Sequence, residues 1–207
     1  MEVEQFFYMI LESKFNLKRI DLALQPELSF NNEDLLVWES FNNGLQNFKP
    51  IQYLLGEAHF YGLKFLVDEN VLIPRPETEE LVQWIIQTAQ KMDPSKSIKI
   101  LDIGTGSGCI AISLAKNLPN AQVSAIDVSD LAFAKAKLNA KLNEVEIDFL
   151  LQDILQTQDL SDNYDIIVSN PPYVRNLEKV EIKQNVLQNE PHLALFVEDD
   201  DPLIFYR

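Results

Sequence analysis

Asn170-Pro171-Pro172-Tyr173 is the part of the sequence whose residue types point most directly to a reaction. It follows Ile166-Ile167-Val168-Ser169, a short apolar run that reads as a buried strand. Two consecutive prolines remove two backbone donors and hold the chain extended, which leaves carbonyl oxygens free to accept. The Asn170 side-chain oxygen and the Pro171 carbonyl can then each take one hydrogen of an –NH2 group. Tyr173 offers a ring that can stack on a planar amide or base. Such a clamp would hold a nitrogen with its lone pair facing the group to be transferred. A planar amide nitrogen is a poor nucleophile, because its lone pair is delocalised. Positioning is therefore the larger expected contribution, and polarisation by two acceptors helps as positive charge develops on nitrogen. No histidine or acid adjoins the tetrapeptide as a general base, so proton loss is expected to follow the transfer. Asn170, Pro171, Pro172 and Tyr173 are thus the catalytic and substrate-holding candidates.

A second segment supplies a ligand loop. Asp102-Ile103-Gly104-Thr105-Gly106-Ser107-Gly108 lies where an apolar strand hands over to a helix. Glycines there allow positive φ and close approach of the backbone to a ligand. The third glycine comes two residues after the second, whereas the dinucleotide fingerprint places it three after. An acid ahead of the loop also suits a cationic or amine-bearing ligand better than a pyrophosphate. Asp127 closes the next strand, where a carboxylate can accept both hydroxyls of an adenosyl ribose. Asp153 is placed to meet an adenine amino group, and Ile154 to pack on the ring. Together these residues favour S-adenosyl-L-methionine as cofactor. A nicotinamide-dependent dehydrogenase fails on the glycine spacing and leaves the tetrapeptide unexplained. Cys109 reads as a small hydrophobe at the helix start.

These segments need elements to hold them. From residue 98 onward the pattern alternates: strand 98–103, a helix through Ile110, Leu114 and Leu118, strand 121–126, helix 130–143, strand 147–150 and strand 164–169. That rhythm predicts an α/β fold with a parallel, doubly wound sheet carrying ligands at the carboxyl ends of its strands. Residues 1–49 read as a small helical bundle. Phe6, Phe7, Ile10, Leu11 and Phe15 form one stripe, and a later helix, capped by Asn31 or Asn32, carries Leu35, Leu36, Trp38, Phe41 and Leu45. Residues 50–74, broken by Gly56 and Gly62, suggest a β-hairpin linker, and Thr78 is the expected cap of a helix beyond Pro74 and Pro76.

Composition sets the boundaries. The 207 residues carry a formal net charge of -15, with no cluster of Lys and Arg, so direct binding to a nucleic-acid backbone is not expected. No run is long and apolar enough for a membrane span, and the single cysteine suggests a reducing compartment, with the cytoplasm as default. No cluster suits a metal, and His59 and His192 sit in contexts that assign them no role.

The sequence resembles the release-factor glutamine methyltransferases. The matching stretches are PIQYLLGEAHFYG (50–62), VLIPRPETEELV (71–82), LDIGTGSGCIAISLA (101–115), IVSNPPYV (167–174) and EPHLALF (190–196). The tetrapeptide alone is shared with DNA adenine-N6 methyltransferases; the IPRPETE segment makes the match specific. The resemblance implies a class I S-adenosylmethionine-dependent methyltransferase domain over 75–207. Its substrate would be the glutamine of the Gly-Gly-Gln tip of peptide-chain release factors, methylated on the amide nitrogen by a monomeric enzyme. It also implies that residues 104–108, Asp127 and Asn170 contact the cofactor, and that Arg75, Glu77 and Thr78 lie at the mouth of the site. The N-terminal bundle would help dock the release factor. Family members continue past the position of Arg207 into a helix and further strands, so a fragment with an incomplete sheet is expected. The run Phe196-Val-Glu-Asp-Asp-Asp-Pro202 also departs from the glycine-containing pattern common in the family.

Overall fold

The computed structural model describes residues 2–93, 95–160 and 162–207. The chain opens with helices α1 (Glu2–Phe15), α2 (Arg19–Leu24), α3 (Asn32–Gln46) and α4 (Ile51–Leu55). Asn31 caps α3: its side-chain oxygen accepts from the N–H groups of Glu33 and Asp34, and Asp34 returns a bond to the Asn31 N–H. This is a reciprocal capping box. Trp38 lies stacked between Phe7 and Phe15, with ring centroids 5.1 and 5.5 Å away. Ile10, Phe41, Ile51 and Leu55 complete the buried cluster. Leu35 and Leu36, expected on the apolar stripe, instead face outward, because the face meeting α1 and α4 runs through Val37, Trp38, Phe41 and Leu45. Gly44 lets α4 approach closely: a Cβ there would sit 2.4 Å from Leu54 Cδ2.

The segment 50–74 is not one hairpin. Residues 51–55 are helical, with Pro50 at the N-cap and Gly56 in the left-handed region (φ 78°) at the C-cap. A five-residue apolar run does not distinguish strand from helix by periodicity. The hairpin is confined to β1 (Glu57–Phe60) and β2 (Leu63–Leu66), antiparallel and joined at Tyr61-Gly62. Both turn residues have positive φ, 50° and 73°, as a tight twisted hairpin requires. Phe60 and Phe65 are fully buried, in edge-to-face contact at 6.2 Å. Extended chain then leads to α5 (Thr78–Ala89). Thr78 is its first residue rather than its cap; Glu77 holds the cap position and makes no side-chain capping bond.

The main sheet follows as expected: β3 (Lys99–Ile103), α6 (Cys109–Asn117), β4 (Gln122–Asp127), α7 (Asp130–Leu142), β5 (Asp148–Leu151) and β6 (Ile166–Ser169). The order is β5-β4-β3-β6 and every pairing is parallel. Ile100, Leu101, Ile112, Leu114 and Ala125 are fully buried in the main core. Beyond β6 the chain makes β7 (Val174–Arg175), α8 (Gln184–Asn189) and β8 (Phe196–Val197), with β7 and β8 paired in parallel.

Two buried polar side chains at the end of α7 join the hairpin to the sheet layer: Asn143 Nδ2 donates to Lys64 O at 2.9 Å, and Asn139 makes the larger set of bonds. Asn139 of α7 is fully buried; its Oδ1 accepts from Leu66 N–H at 2.7 Å, and its Nδ2 donates to Leu66 O at 3.0 Å and Ser107 O at 2.8 Å. Replacing it by a hydrophobe strands these groups, at about 1–3 kcal/mol for each one left unpaired. Asn139→Leu is therefore expected to lower the urea midpoint sharply despite its similar volume, and an unchanged midpoint would contradict the role.

Candidate active site

A cavity of about 280 Å³ opens at the carboxyl ends of the parallel strands. The turn after β3 forms its floor. Gly104, Thr105, Gly106 and Ser107 line it, with φ of 73° at Gly104 and 57° at Gly106. A Cβ added at either glycine would meet no atom within 4 Å, so a side chain there would stand in open space. Gly108 differs. Its φ is 83°, and a Cβ would come within 2.8 Å of Ile112 Cδ1 and 3.3 Å of Ala136 Cβ. It does not line the cavity, and its bareness serves the packing of α6 against α7.

Asp102 is also displaced from its expected place. It is 1% exposed and lies beneath the loop rather than on the cavity wall. Its Oδ2 accepts from the Thr105 hydroxyl at 2.6 Å, which braces the turn from within. The Ala111 N–H at the start of α6 also bonds to the carboxyl. Burial pushes the carboxyl up to about 6; the bonds from Thr105 and from the Ala111 N–H oppose this, and the nearby charge of Asp127 adds to it. Burial likewise pushes the Cys109 thiol up to about 12, as suits a packing residue.

Asp127 lines the cavity from the end of β4. Its Oδ2 accepts from Gly106 N–H at 2.7 Å and its Oδ1 from Ser129 N–H at 2.9 Å. Asp153 and Ile154 follow β5 on the same wall. The Asp153 carboxylate accepts from Leu155 N–H and Gln156 Nε2, which fixes the turn that carries Ile154. Val128, Ile154 and Leu155 make this side apolar.

Asn170, Pro171 and Pro172 close the opposite wall. A second cavity, of about 310 Å³, lies behind them, lined by Tyr173, Val174, Lys183, Val186 and Leu195 among others. Leu72, Arg75, Asn170, Pro171 and Ala194 border both spaces. Tyr173 belongs to the second cavity alone and is 65% exposed. Thr78 lines the first cavity, and its hydroxyl accepts from Asn170 Nδ2 at 3.4 Å. Glu77 lines neither.

Sequence reasoning gave Glu190 no part in the site. Its side chain is 1% exposed; Oε1 pairs with Arg75 Nη2 at 2.7 Å, and Oε2 accepts from Ile73 N–H at 3.3 Å. It thereby holds Arg75 at the junction of the two cavities across 115 residues of sequence. The sequence signal was its place at the head of EPHLALF (190–196), one of the stretches that carry the resemblance.

The methyltransferase small domain family model matches residues 83–194, more than half of the chain. The release factor glutamine methyltransferase of Flavobacterium psychrophilum is 66% identical over 206 residues, covering 100% of this chain and 72% of that protein. The chain belongs to the release factor glutamine methyltransferase family. The relatives of the same name from Bacteroides thetaiotaomicron and Streptococcus pneumoniae are 53% and 48% identical. Those matches cover 79% and 89% of this chain but 57% and 63% of the relatives' lengths. In this methyltransferase fold, the glycine turn and the Asn-Pro-Pro-Tyr turn leave adjacent parallel strands at one edge of the sheet.

Two stability measurements test the loop. Gly106→Ala and Gly108→Ala both place a Cβ at positive φ, at about 1–2 kcal/mol. Only Gly108→Ala adds overpacking, about 1–3 kcal/mol more, so its unfolding midpoint is expected to be clearly the lower; equal midpoints would remove the packing role. For Asp102 the folded chain holds its proton more tightly than the unfolded chain. The stability this contributes is complete below 3.8 and is lost as pH rises through about 6. Denaturant titrations across that window should show wild type losing stability relative to Asp102→Asn as pH rises. Parallel curves would contradict the raised value.

Proposed function

We propose that this site transfers a methyl group from S-adenosyl-L-methionine to the side-chain amide nitrogen of the glutamine in the Gly-Gly-Gln motif of peptide-chain release factors. The observation that carries the reading is the wall shared by two cavities, made by Asn170 and Pro171. A donor on one side and an –NH2 acceptor on the other would meet across these residues. The names carried by the 66%, 53% and 48% identical relatives support the substrate.

The first cavity has the donor set for the cofactor. Gly104 and Gly106 leave room against the backbone, Asp127 offers carboxylate oxygens to ribose hydroxyls, and Val128, Ile154 and Leu155 give an apolar seat for an adenine ring. When bound, the cofactor supplies an electrophilic methyl group on a sulfonium. The protein's own contribution is positional. Asn170 Oδ1 and Pro171 O accept the two amide hydrogens and aim the nitrogen lone pair at the cofactor cavity. Arg75 stands at the junction as a donor toward the substrate. No base is required before transfer, because the nitrogen becomes acidic only once alkylated.

Residues 1–49 would form the surface that docks the release factor, 50–74 the connection, and 75–207 the catalytic unit. The enzyme would act as a monomer in the cytoplasm. Among the described residues no helix is long and apolar enough to cross a membrane.

Amino-directed methylation of adenine N6 in DNA or RNA is the competing reading, since the exposed ring of Tyr173 could stack on a base. The net charge of -15 opposes it. Mass spectrometry after incubation with S-adenosylmethionine, release factor and adenine-containing DNA is expected to find the methyl on the Gly-Gly-Gln glutamine. A methylated adenine beside an unmodified glutamine would overturn the proposal. Asn170→Ala is expected to reduce the rate by about 10²-fold or more, the scale for losing one preorganised polar contact at the reacting group.

A further inference from the structure

We propose that Thr78 is a positioning residue, whose hydroxyl orients the Asn170 carboxamide for the nucleophilic nitrogen. This inference rests on the reading given above. Asn170 is exposed at the exit of β6, flanked on its carboxyl side by two prolines that offer no N–H. Among the described residues, its side chain makes one hydrogen bond, from Nδ2 to Thr78 Oγ1 at 3.4 Å, across 92 residues of sequence. Thr78 is the first residue of α5 and lines the same cavity as Asn170 and Pro171.

The chemistry of a carboxamide gives that contact its meaning. Asn170 presents an acceptor on one side and two donors on the other. Clamping an –NH2 group requires the acceptor to face the substrate; a flipped amide would set donor against donor. With Oδ1 turned to the substrate, Nδ2 faces α5 and needs an acceptor there, and the Thr78 hydroxyl is in place. A bond accepted from Nδ2 also draws charge toward Oδ1, which strengthens its hold on the substrate hydrogens. The separation is long for an N–H···O bond, as contacts of catalytic groups often are before substrate seats and tightens them.

Valine keeps the shape of threonine and removes the oxygen. Wild type, Thr78→Val, Thr78→Ala and Thr78→Ser are compared for kcat and KM on a Gly-Gly-Gln release factor with S-adenosylmethionine, alongside thermal midpoints. Thr78→Val and Thr78→Ala should lower kcat by about fivefold to tenfold, the worth of one neutral hydrogen bond. KM for S-adenosylmethionine should stay near the wild-type value, and Thr78→Ser should restore kcat. A structural role would instead follow the thermal midpoint and would not be rescued by serine alone. The inference is overturned if the two hydroxyl-free variants turn over like wild type, if serine is as slow as valine, or if the loss lies in KM. Absence of glutamine methylation by the wild-type protein would instead overturn the functional reading beneath it.

Discussion

The parallel register of β3 between β4 and β6 determines where chemistry can occur in this chain. Ile103 lies opposite Ile126 on one side and Ser169 on the other. One residue further on, Gly104, Asp127 and Asn170 therefore stand at the same level, Asp127 as the last residue of β4. Local bonds fix that row. Gly104 and Thr105 both donate N–H to Ile126 O, the Ser169 hydroxyl donates to Ile103 O at 2.8 Å, and Gln152 N–H donates to Asp127 O. A slip of one residue in either pairing would move a partner by about 3.3 Å along the strand. It would also turn every side chain of that strand to the opposite face. The glycine turn and Asn170-Pro171-Pro172-Tyr173 are thus placed by backbone pairing, before any side chain contributes.

Holding the turn in that row requires burying a carboxyl group. Asp102 braces Thr105 from below while its carboxyl is shut off from solvent. The same carboxyl raised by burial is the one on which the loop's shape relies. Asp127 carries a comparable double load: its oxygens hold the Gly106 and Ser129 N–H groups. A carboxylate has about four lone-pair sites, so acceptance from two backbone groups leaves capacity for ligand hydroxyls. The loop is braced by one acid that the cavity does not touch and by another that it does.

What the sequence revealed follows the range of the interactions involved. The glycine turn, the strand-end acids and Asn170-Pro171-Pro172-Tyr173 were legible because each is defined within a few residues. The alternating strands and helices were legible for the same reason. The packing role of Gly108 was not legible, since the loop pattern does not show that Ile112 and Ala136 would crowd a Cβ there. Residues 51–55 were misread because a short apolar run suits either element, and the Pro50 and Gly56 boundaries decide for helix. Glu190 and Asn139 were missed altogether. Their partners lie 115 and 117 residues away in one case and 32 and 73 in the other, and no local pattern marks a buried acid or amide for such distant groups.

The two sides of the shared wall are built to different standards of rigidity. On the side of the first cavity, the lining leaves a four-stranded parallel ladder and a buried core. On the other, the lining comes from short pieces: β7 and β8 have two residues each, and α8 has six. These are held by a few ties: the short pairing of β7 with β8, side-chain bonds such as Asn176 Nδ2 to Val197 O, and the ion pairs Arg75–Glu190 and Arg175–Glu178. Of those ties Arg75–Glu190 is the demanding one, because a carboxylate 1% exposed is tolerable only while both its partners stay in place. The functional consequence concerns selectivity. Asn170 Oδ1 and Pro171 O can recognise an –NH2 group but nothing of what carries it, so the clamp alone cannot separate glutamine from adenine. On the proposed reading, discrimination must come from the pieces around the second cavity and from the surface that docks the substrate. The ladder then serves one cofactor, while the weakly tied segments beside it choose the nitrogen.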